Sequence, residues 1–276
     1  MNNIIIGCYD GYTSVKTNNG GLYPFLKSLR NYNNKCKIII LCNKYKVYEE
    51  LERCCKFFNA ELHLFDLSEY NIQKKYYKTY PEIIQIRYLI IKNILIKQSN
   101  INKVLVSDTN DVVFQGDPFS IIFESDFYCA LEQNLISDLN NSSSNCNRDW
   151  LLPFYKNLTY YDFLEKFKNK YVICAGTILA KYNALIDYLY WFEKNIEIND
   201  QGLLNIYIYD YCKSKIMVKY KNSLILTLDK INYDSINKDE KNFLLNNNLD
   251  KYIILHQINR CGTNNLNEII KNIFIK

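Results

Sequence analysis

The chain has 276 residues, 48% of them hydrophobic and 23% charged, enough to bury the core of one large α/β domain or two small ones. Its net charge of +5 is small and scattered, which gives no basis for a nucleic-acid partner, and no apolar run approaches the ~20 residues of a membrane span. Abundant Asn, Ile, Lys and Tyr beside only 8 Gly and 4 Pro has the bias of AT-rich coding and carries no chemical message.

From the N-terminus, Ile4-Ile5-Ile6-Gly7-Cys8 predicts a buried strand, 23–31 a helix and 37–42 a second strand. A helix over 46–58, a strand over 61–65 and a long helix over 81–98, opened by Pro81, follow. Residues 103–107 make a fourth strand, and this alternation predicts parallel βαβ units. Later segments are less regular: strands over 127–131 and 172–180, helices over 182–194 and 201–211, a polar surface excursion over 230–250, and a strand over 252–255. No linker rich in Pro, Gly or Ser divides the chain, so a single domain over 1–276 is expected.

The ten cysteines lie mostly in apolar runs and form no CxxC pair, and no signal peptide is read at the N-terminus. Free thiols in a reducing, cytoplasmic setting are therefore expected, with the sequons at Asn141 and Asn157 unused.

The fourth strand runs into Asp108-Thr109-Asn110-Asp111 and then resumes as Val112-Val113-Phe114. Two like charges at a strand end repel each other, and a divalent cation with oxygen ligands would relieve that repulsion. An aspartate that caps a turn and another that pairs with a lysine would do so too. Strand carboxyl ends are where parallel sheets bind ligands. Arg87 falls inside the apolar stripe of its helix, where a guanidinium requires an anion: Asp108, a substrate phosphate or a core carboxylate. His256 ends a strand and fits either a structural role or a metal site. Asp200 heads a helix, as an N-cap would. Gly176 permits close backbone approach or a bulge. Glu132, after a strand, is a further candidate, on the acceptor side.

Asp108-Thr109-Asn110 also resembles the opening of a haloacid-dehalogenase phosphatase, in which Asp108 would be the nucleophile. That pattern wants Asp where this chain has Asn110, and places it on the first strand. A broader resemblance spans most of the chain. Gly11-Tyr12 with 25–30, D-x-x-D-V-x-F-Q-x-D-P-F over 108–119, Asn147 and Trp150, Cys174-Ala175-Gly176-Thr177, Asp200-Gln201 with Asn205, and His256-Gln257 with Arg260 occur in order. Together they resemble the blocks of DxD-type nucleotide-sugar glycosyltransferases of the GT-A fold. One departure is the spacing of the acids: placing Asp111 at the second acid of DxD puts Thr109 at the first.

The resemblance implies a mixed, mainly parallel α/β sheet and a hexosyl- or N-acetylhexosaminyl-transferase using a UDP-sugar and Mn2+ or Mg2+. It implies metal ligation by Asp108, Asp111 and His256, the last a borderline donor suited to manganese. Donor contacts from Cys8, Tyr9, Asp10, Arg87, Thr109, Asn110, Gly176 and Arg260 are implied, with Tyr9 either stacking on uracil or packing in the core. Arg260 would stabilise the departing diphosphate. Asp200 and Gln201 would face the sugar, as in related retaining enzymes. The acceptor would be a glycan, a protein or a lipid-linked precursor, and a homodimer is left open.

Overall fold

The computed structural model describes residues 2–9, 20–70, 83–229 and 231–274. Asp10, the Gly11-Tyr12 pair and the Pro81 start of the long predicted helix lie outside them.

The early alternation folds as βαβ units. β1 (Asn2–Tyr9), α1 (Leu22–Tyr32), β2 (Lys37–Asn43), α2 (Glu49–Phe57), β3 (Glu61–Phe65), α3 (Ile83–Leu95) and β4 (Ile101–Asp108) follow in turn. The strands pair in parallel in the order β3-β2-β1-β4. Successive side chains point to opposite faces, and both faces are covered. Ile4, Ile6, Val104 and Val106 pack with Ile86, Ile90 and Ile94 of α3. Ile5, Ile38, Ile40 and Leu105 pack with Phe25 and Leu29 of α1 and Leu51 of α2. Burial on both sides is why these strands are unbroken apolar runs.

Past β4 the sheet becomes mixed. β5 (Val112–Phe114), β6 (Phe127–Leu135), α4 (Ser142–Leu151), α5 (Tyr160–Lys166), β7 (Tyr171–Ile173), β8 (Thr177–Lys181), α6 (Tyr182–Glu193), α7 (Asp200–Ile206) and β9 (Lys215–Lys219) succeed one another. β8 runs antiparallel to β4 and to β6, β7 antiparallel to β6, and β9 parallel to β6. The outcome is a mostly parallel eight-stranded sheet with helices on both faces.

Three expectations are corrected. The strand over 172–180 is broken into β7 and β8. Between Tyr128↔Leu179 and Leu131↔Ile173, β6 advances three residues and the facing chain six, so Cys174-Ala175-Gly176 bulges out of the ladder. The helix over 201–211 keeps α-helical form only to Ile206 and widens into a π-type turn over Tyr207–Tyr211. The strand over 127–131 extends to Leu135, so Glu132 lies within it and not after it.

A second sheet carries the end of the chain back to β4. β10 (Ile225–Thr227) is followed by β11 (Asn237–Lys238), β12 (Leu244–Leu245), β13 (Ile254–His256) and α8 (Thr263–Phe274). β11 and β12 pair within the stretch expected as a surface excursion, where Tyr233 and Leu244 are buried. β13 lies between β10 and β5, antiparallel to β5, with His256 opposite Val112. The pairing thus delivers His256 beside Asp111. Gln115 locks it there: its Nε2 donates to Leu244 O (3.1 Å) and Tyr252 O (2.9 Å), and its Oε1 accepts from Leu244 N (3.0 Å).

Gln115→Ala would take the side-chain partner from Tyr252 O and Leu244 N–H, while Leu244 O keeps the Tyr252 N–H (3.0 Å), and each unmet buried group costs about 1–3 kcal/mol. We expect equilibrium urea unfolding to show a stability loss on the order of 3 kcal/mol. A midpoint equal to that of the wild type would mean that Gln115 does not fasten the second sheet.

Candidate metal centre and adjoining cleft

Three elements converge at the carboxyl end of β4. β1 and β4 end in register, with Cys8 opposite Asp108. The Asp108 N–H donates to Gly176 O (2.8 Å), which draws the bulge over the strand end. The turn after β4 is held by Gly21 N–H donating to Asn110 O (2.6 Å) and Ile258 N–H donating to Asp111 O (3.2 Å). Gly20, at φ 102°, allows that approach, since a Cβ there would stand 2.4 Å from Asn110 O.

His256 Nε2 lies 3.6 Å from Asp108 Oδ2 and 3.8 Å from Asp111 Oδ1. The donor atoms of these three residues lie within 4.8 Å of one another. The imidazole is 2% exposed and the Asp108 side chain 36%, so the group opens toward solvent on its carboxylate side. Room for it depends on Gly176: a Cβ there would fall 2.3 Å from His256 Cε1 and 2.7 Å from Asp108 Oδ2. Two carboxylates and an imidazole make a hard-to-borderline donor set, suited to manganese or magnesium with positions left for substrate oxygens.

Arg87 sets the charge balance. Its guanidinium reaches Asp108 Oδ1 (2.5 Å) through one nitrogen and Asp200 Oδ2 (2.7 Å) through another, and it is buried. Both the site carboxylate and the core carboxylate expected as alternatives are present. Desolvation works against a charged Asp108, but Arg87, followed by His256, holds its carboxyl well below the usual range. Burial pushes Asp111 and Asp200 upward; Asp108 adds to the rise at both, against His256 at Asp111 and Arg87 at Asp200. At His256 burial opposes the imidazolium, and Cys174 with Asp108 and Asp111 outweighs it, so the ring's pKa lies well above the ordinary value.

The remaining candidates divide. Thr109 is buried and donates to Cys8 O (2.8 Å), which ties the turn to β1. Tyr9 is buried in the core beneath α1, its hydroxyl 2.8 Å from that of Tyr48. The N-cap of α7 is Asn199, whose side chain accepts from Gln201 N and Gly202 N; Asp200 is the first helical residue and is turned to Arg87. Gln201 accepts from Ala175 N (3.2 Å) and donates to Asn147 Oδ1 (2.9 Å). Asn205 brackets Ile173, accepting from its N–H and donating to its carbonyl.

Gln201 and Asn147 line a cleft of about 300 Å³ together with Glu132, Trp150, Gln257 and Arg260. Burial pushes the Glu132 carboxyl up to about 7, against His256 and Cys174. Arg260, half-exposed, pairs with Asp229 (3.2 Å). Asp229 was not singled out in the sequence, since an acid in a loop beyond a three-residue strand has no distinguishing pattern. A larger cavity, about 470 Å³, lies at the opposite ends of the strands around Ile4, Ile38 and Ile101. Ligands of parallel sheets bind at the carboxyl ends, and the smaller cleft is the one beside the titratable cluster.

No helix of the described residues is long and apolar enough to cross a membrane. None of the ten cysteines forms a disulfide. Comparison with known proteins finds no family model and no curated protein that matches the chain.

Two outcomes follow from the electrostatics. Arg87→Met strands two carboxylates and is expected to cost about 3–5 kcal/mol in chemical denaturation; a loss within experimental error would contradict the ion-pair account. Because Cys174, Asp108 and Asp111 raise the metal-free ring's affinity for a proton, an ion bound at Nε2 must compete with that proton. Manganese affinity should therefore rise with pH, by at most about tenfold per unit for each proton released. Calorimetry in buffers of different ionisation enthalpy measures that release; binding without it would contradict ligation by His256.

Proposed function

We propose that the chain is a metal-dependent glycosyltransferase, moving a sugar from a nucleotide-sugar donor, a UDP-sugar, to an acceptor hydroxyl. The observation that carries this reading is the meeting of Asp108, Asp111 and His256 at the carboxyl end of a parallel strand, beside a polar cleft. The ordered motif blocks resembling GT-A transferases supply the reaction type.

Asp108, Asp111 and His256 would hold the Mn2+ or Mg2+. The ion, when bound, offsets the negative charge that develops on a departing diphosphate. Arg87 keeps Asp108 ionised and keeps its Oδ1 engaged, which leaves Oδ2 toward the centre. Arg260, at the cleft rim and paired with Asp229, adds a half-exposed positive charge for the same leaving group. Gln201 presents its amide to the cleft from a fixed position, while Asp200 acts from behind through Arg87. Glu132 stands on the cleft wall as an acceptor-side group. A retaining outcome rests on the resemblance of the Asp200-Gln201 block.

The phosphatase alternative would make Asp108 a nucleophile, yet one of its oxygens is held by Arg87 and the other faces His256, a poor state for attack. A sugar-nucleotide binding module without catalysis would share the donor site and differ by lack of turnover.

Titration of UDP with and without manganese tests the reading. The wild type should bind UDP more tightly with the metal, and Asp111→Ala should lose at least about tenfold, or ~1.4 kcal/mol. Equal, metal-independent binding by both proteins would contradict it. Release of free sugar from the best-bound nucleotide sugar separates an enzyme from a binding module.

A further inference from the structure

We propose that Gln257 is a substrate-contacting residue, its side-chain amide engaging a hydroxyl of a sugar ring seated in the cleft beside the metal centre; this rests on the transferase reading above. Gln257 follows the last residue of β13 and lines that cleft. Its backbone is left-handed, at φ 58° and ψ 38°, where it heads the 3-10 turn over Ile258–Arg260. The side chain does not cap that turn. Its Oε1 is shut away from water and has no hydrogen-bond partner among the described residues.

Both features disfavour glutamine at this position. A left-handed backbone suits glycine or asparagine, which would hold it with less strain. Of the other four non-glycine residues at positive φ, three are asparagines: Asn59, Asn100 and Asn242. A buried amide oxygen without a donor loses its bonds to water and gains none in return. Strain and an orphaned acceptor at one residue, on the wall of a cleft, point to a partner that is a ligand. The terminal torsion of glutamine is broad, so a turn of the amide carries Oε1 from its closed position into the cleft. The rest of the wall specifies the ligand's chemistry. Asn147, Gln201 and Gln257 contribute amides, and the charge of Arg260 is answered by Asp229 at 3.2 Å. An amide both donates and accepts, as a hydroxyl does, so these groups match a neutral polyhydroxy molecule. The Gln201–Asn147 hydrogen bond (2.9 Å) ties α7 to α4, which places the indole of Trp150 on the same wall as an apolar surface for the C–H face of a ring. At about 300 Å³ the cleft lies at the lower end of ligand sites, sized for one ring and not for an extended chain. That ring is the sugar of the donor or the sugar of the acceptor.

Gln257→Gly relieves the backbone and removes the orphaned oxygen, so its thermal midpoint should equal or exceed that of the wild type while sugar binding falls. Calorimetry with manganese compares UDP with UDP-glucose, UDP-galactose and UDP-N-acetylglucosamine. The ratio of nucleotide-sugar to UDP affinity isolates the ring, and any disturbance of neighbouring His256 cancels in it. Methyl glycosides of the same three sugars, titrated into the UDP-loaded protein, read an acceptor ring. In a Trp191→Phe background Trp150 is the sole indole, and its fluorescence places the glycoside in the cleft. The wild type should show sugar-dependent binding in one of the two sets, which assigns the ring to donor or acceptor. Gln257→Gly should lower that sugar-dependent affinity by about 2–10-fold, the worth of one neutral hydrogen bond. Should Gln257→Gly fail to fold, Gln257→Asn, which suits the backbone and shortens the amide's reach, is expected to lose the same increment. Undiminished sugar-dependent binding in the folded variant overturns the proposal, as does a lowered thermal midpoint of Gln257→Gly or a wild type that binds none of the sugar probes. A wild type that binds no UDP defeats the transferase reading, and the methyl glycosides, titrated without nucleotide, then still decide whether the cleft takes a sugar through Gln257.

Discussion

The guanidinium of Arg87 joins the two halves of the molecule that the candidate chemistry needs. It rises from α3 between Asp108, at the end of a parallel strand, and Asp200, at the start of α7. Two carboxylates sharing one neighbour, one of them buried, would otherwise not both be charged. With the guanidinium between them, Asp108 stays ionised and can present its second oxygen to His256 and Asp111. The cost of burying Arg87 and Asp200, with Asp108 partly covered, is set against a fixed geometry. A buried ion pair adds little net stability over an apolar replacement, whereas removing one partner alone is costly.

Around that pair the fold supplies the rest by pairing rules. β4 ends, the chain turns through Thr109 and Asn110, and β5 leaves to nucleate a second sheet. Only because β13 pairs with β5 does a histidine almost 150 positions further along arrive next to Asp111. The bulge over 174–176 supplies the third wall, and Gly176 keeps that wall thin enough for the imidazole. α7 contributes little directly to the centre, but through Gln201 and Asn205 it grips both sides of the bulge. The Asp200, Gln201 and Asn205 side chains thus work as a clamp, each on a different neighbour.

How much of this was legible in the sequence differs by element. The first four strands and the helices between them could be read because strands buried on both faces leave long apolar runs. α8 is equally legible from Leu266, Ile269, Ile270 and Ile273, an inward stripe at helical spacing. β5, β10 and β13 have three residues each, too few for any periodicity to register. The break in the 172–180 strand was hidden because Cys174-Ala175-Gly176 are small residues that suit a ladder as well as a bulge. At the site, Arg87 was informative because a charge inside an apolar stripe demands an anion, and two were found. Thr109 and Tyr9 were not separable from their neighbours by type alone. Which way a turn hydroxyl or a strand-end ring points is decided by register with β1 and by packing under α1, neither of which a linear pattern contains.

The central claim is that Asp108, Asp111 and His256 form one cation site. Anomalous diffraction from a crystal soaked in manganese and UDP tests it most directly. The account predicts a single strong peak between the two carboxylates and the imidazole Nε2, with diphosphate oxygens completing the coordination. A peak elsewhere, or none at that position while UDP is visibly bound, would contradict it.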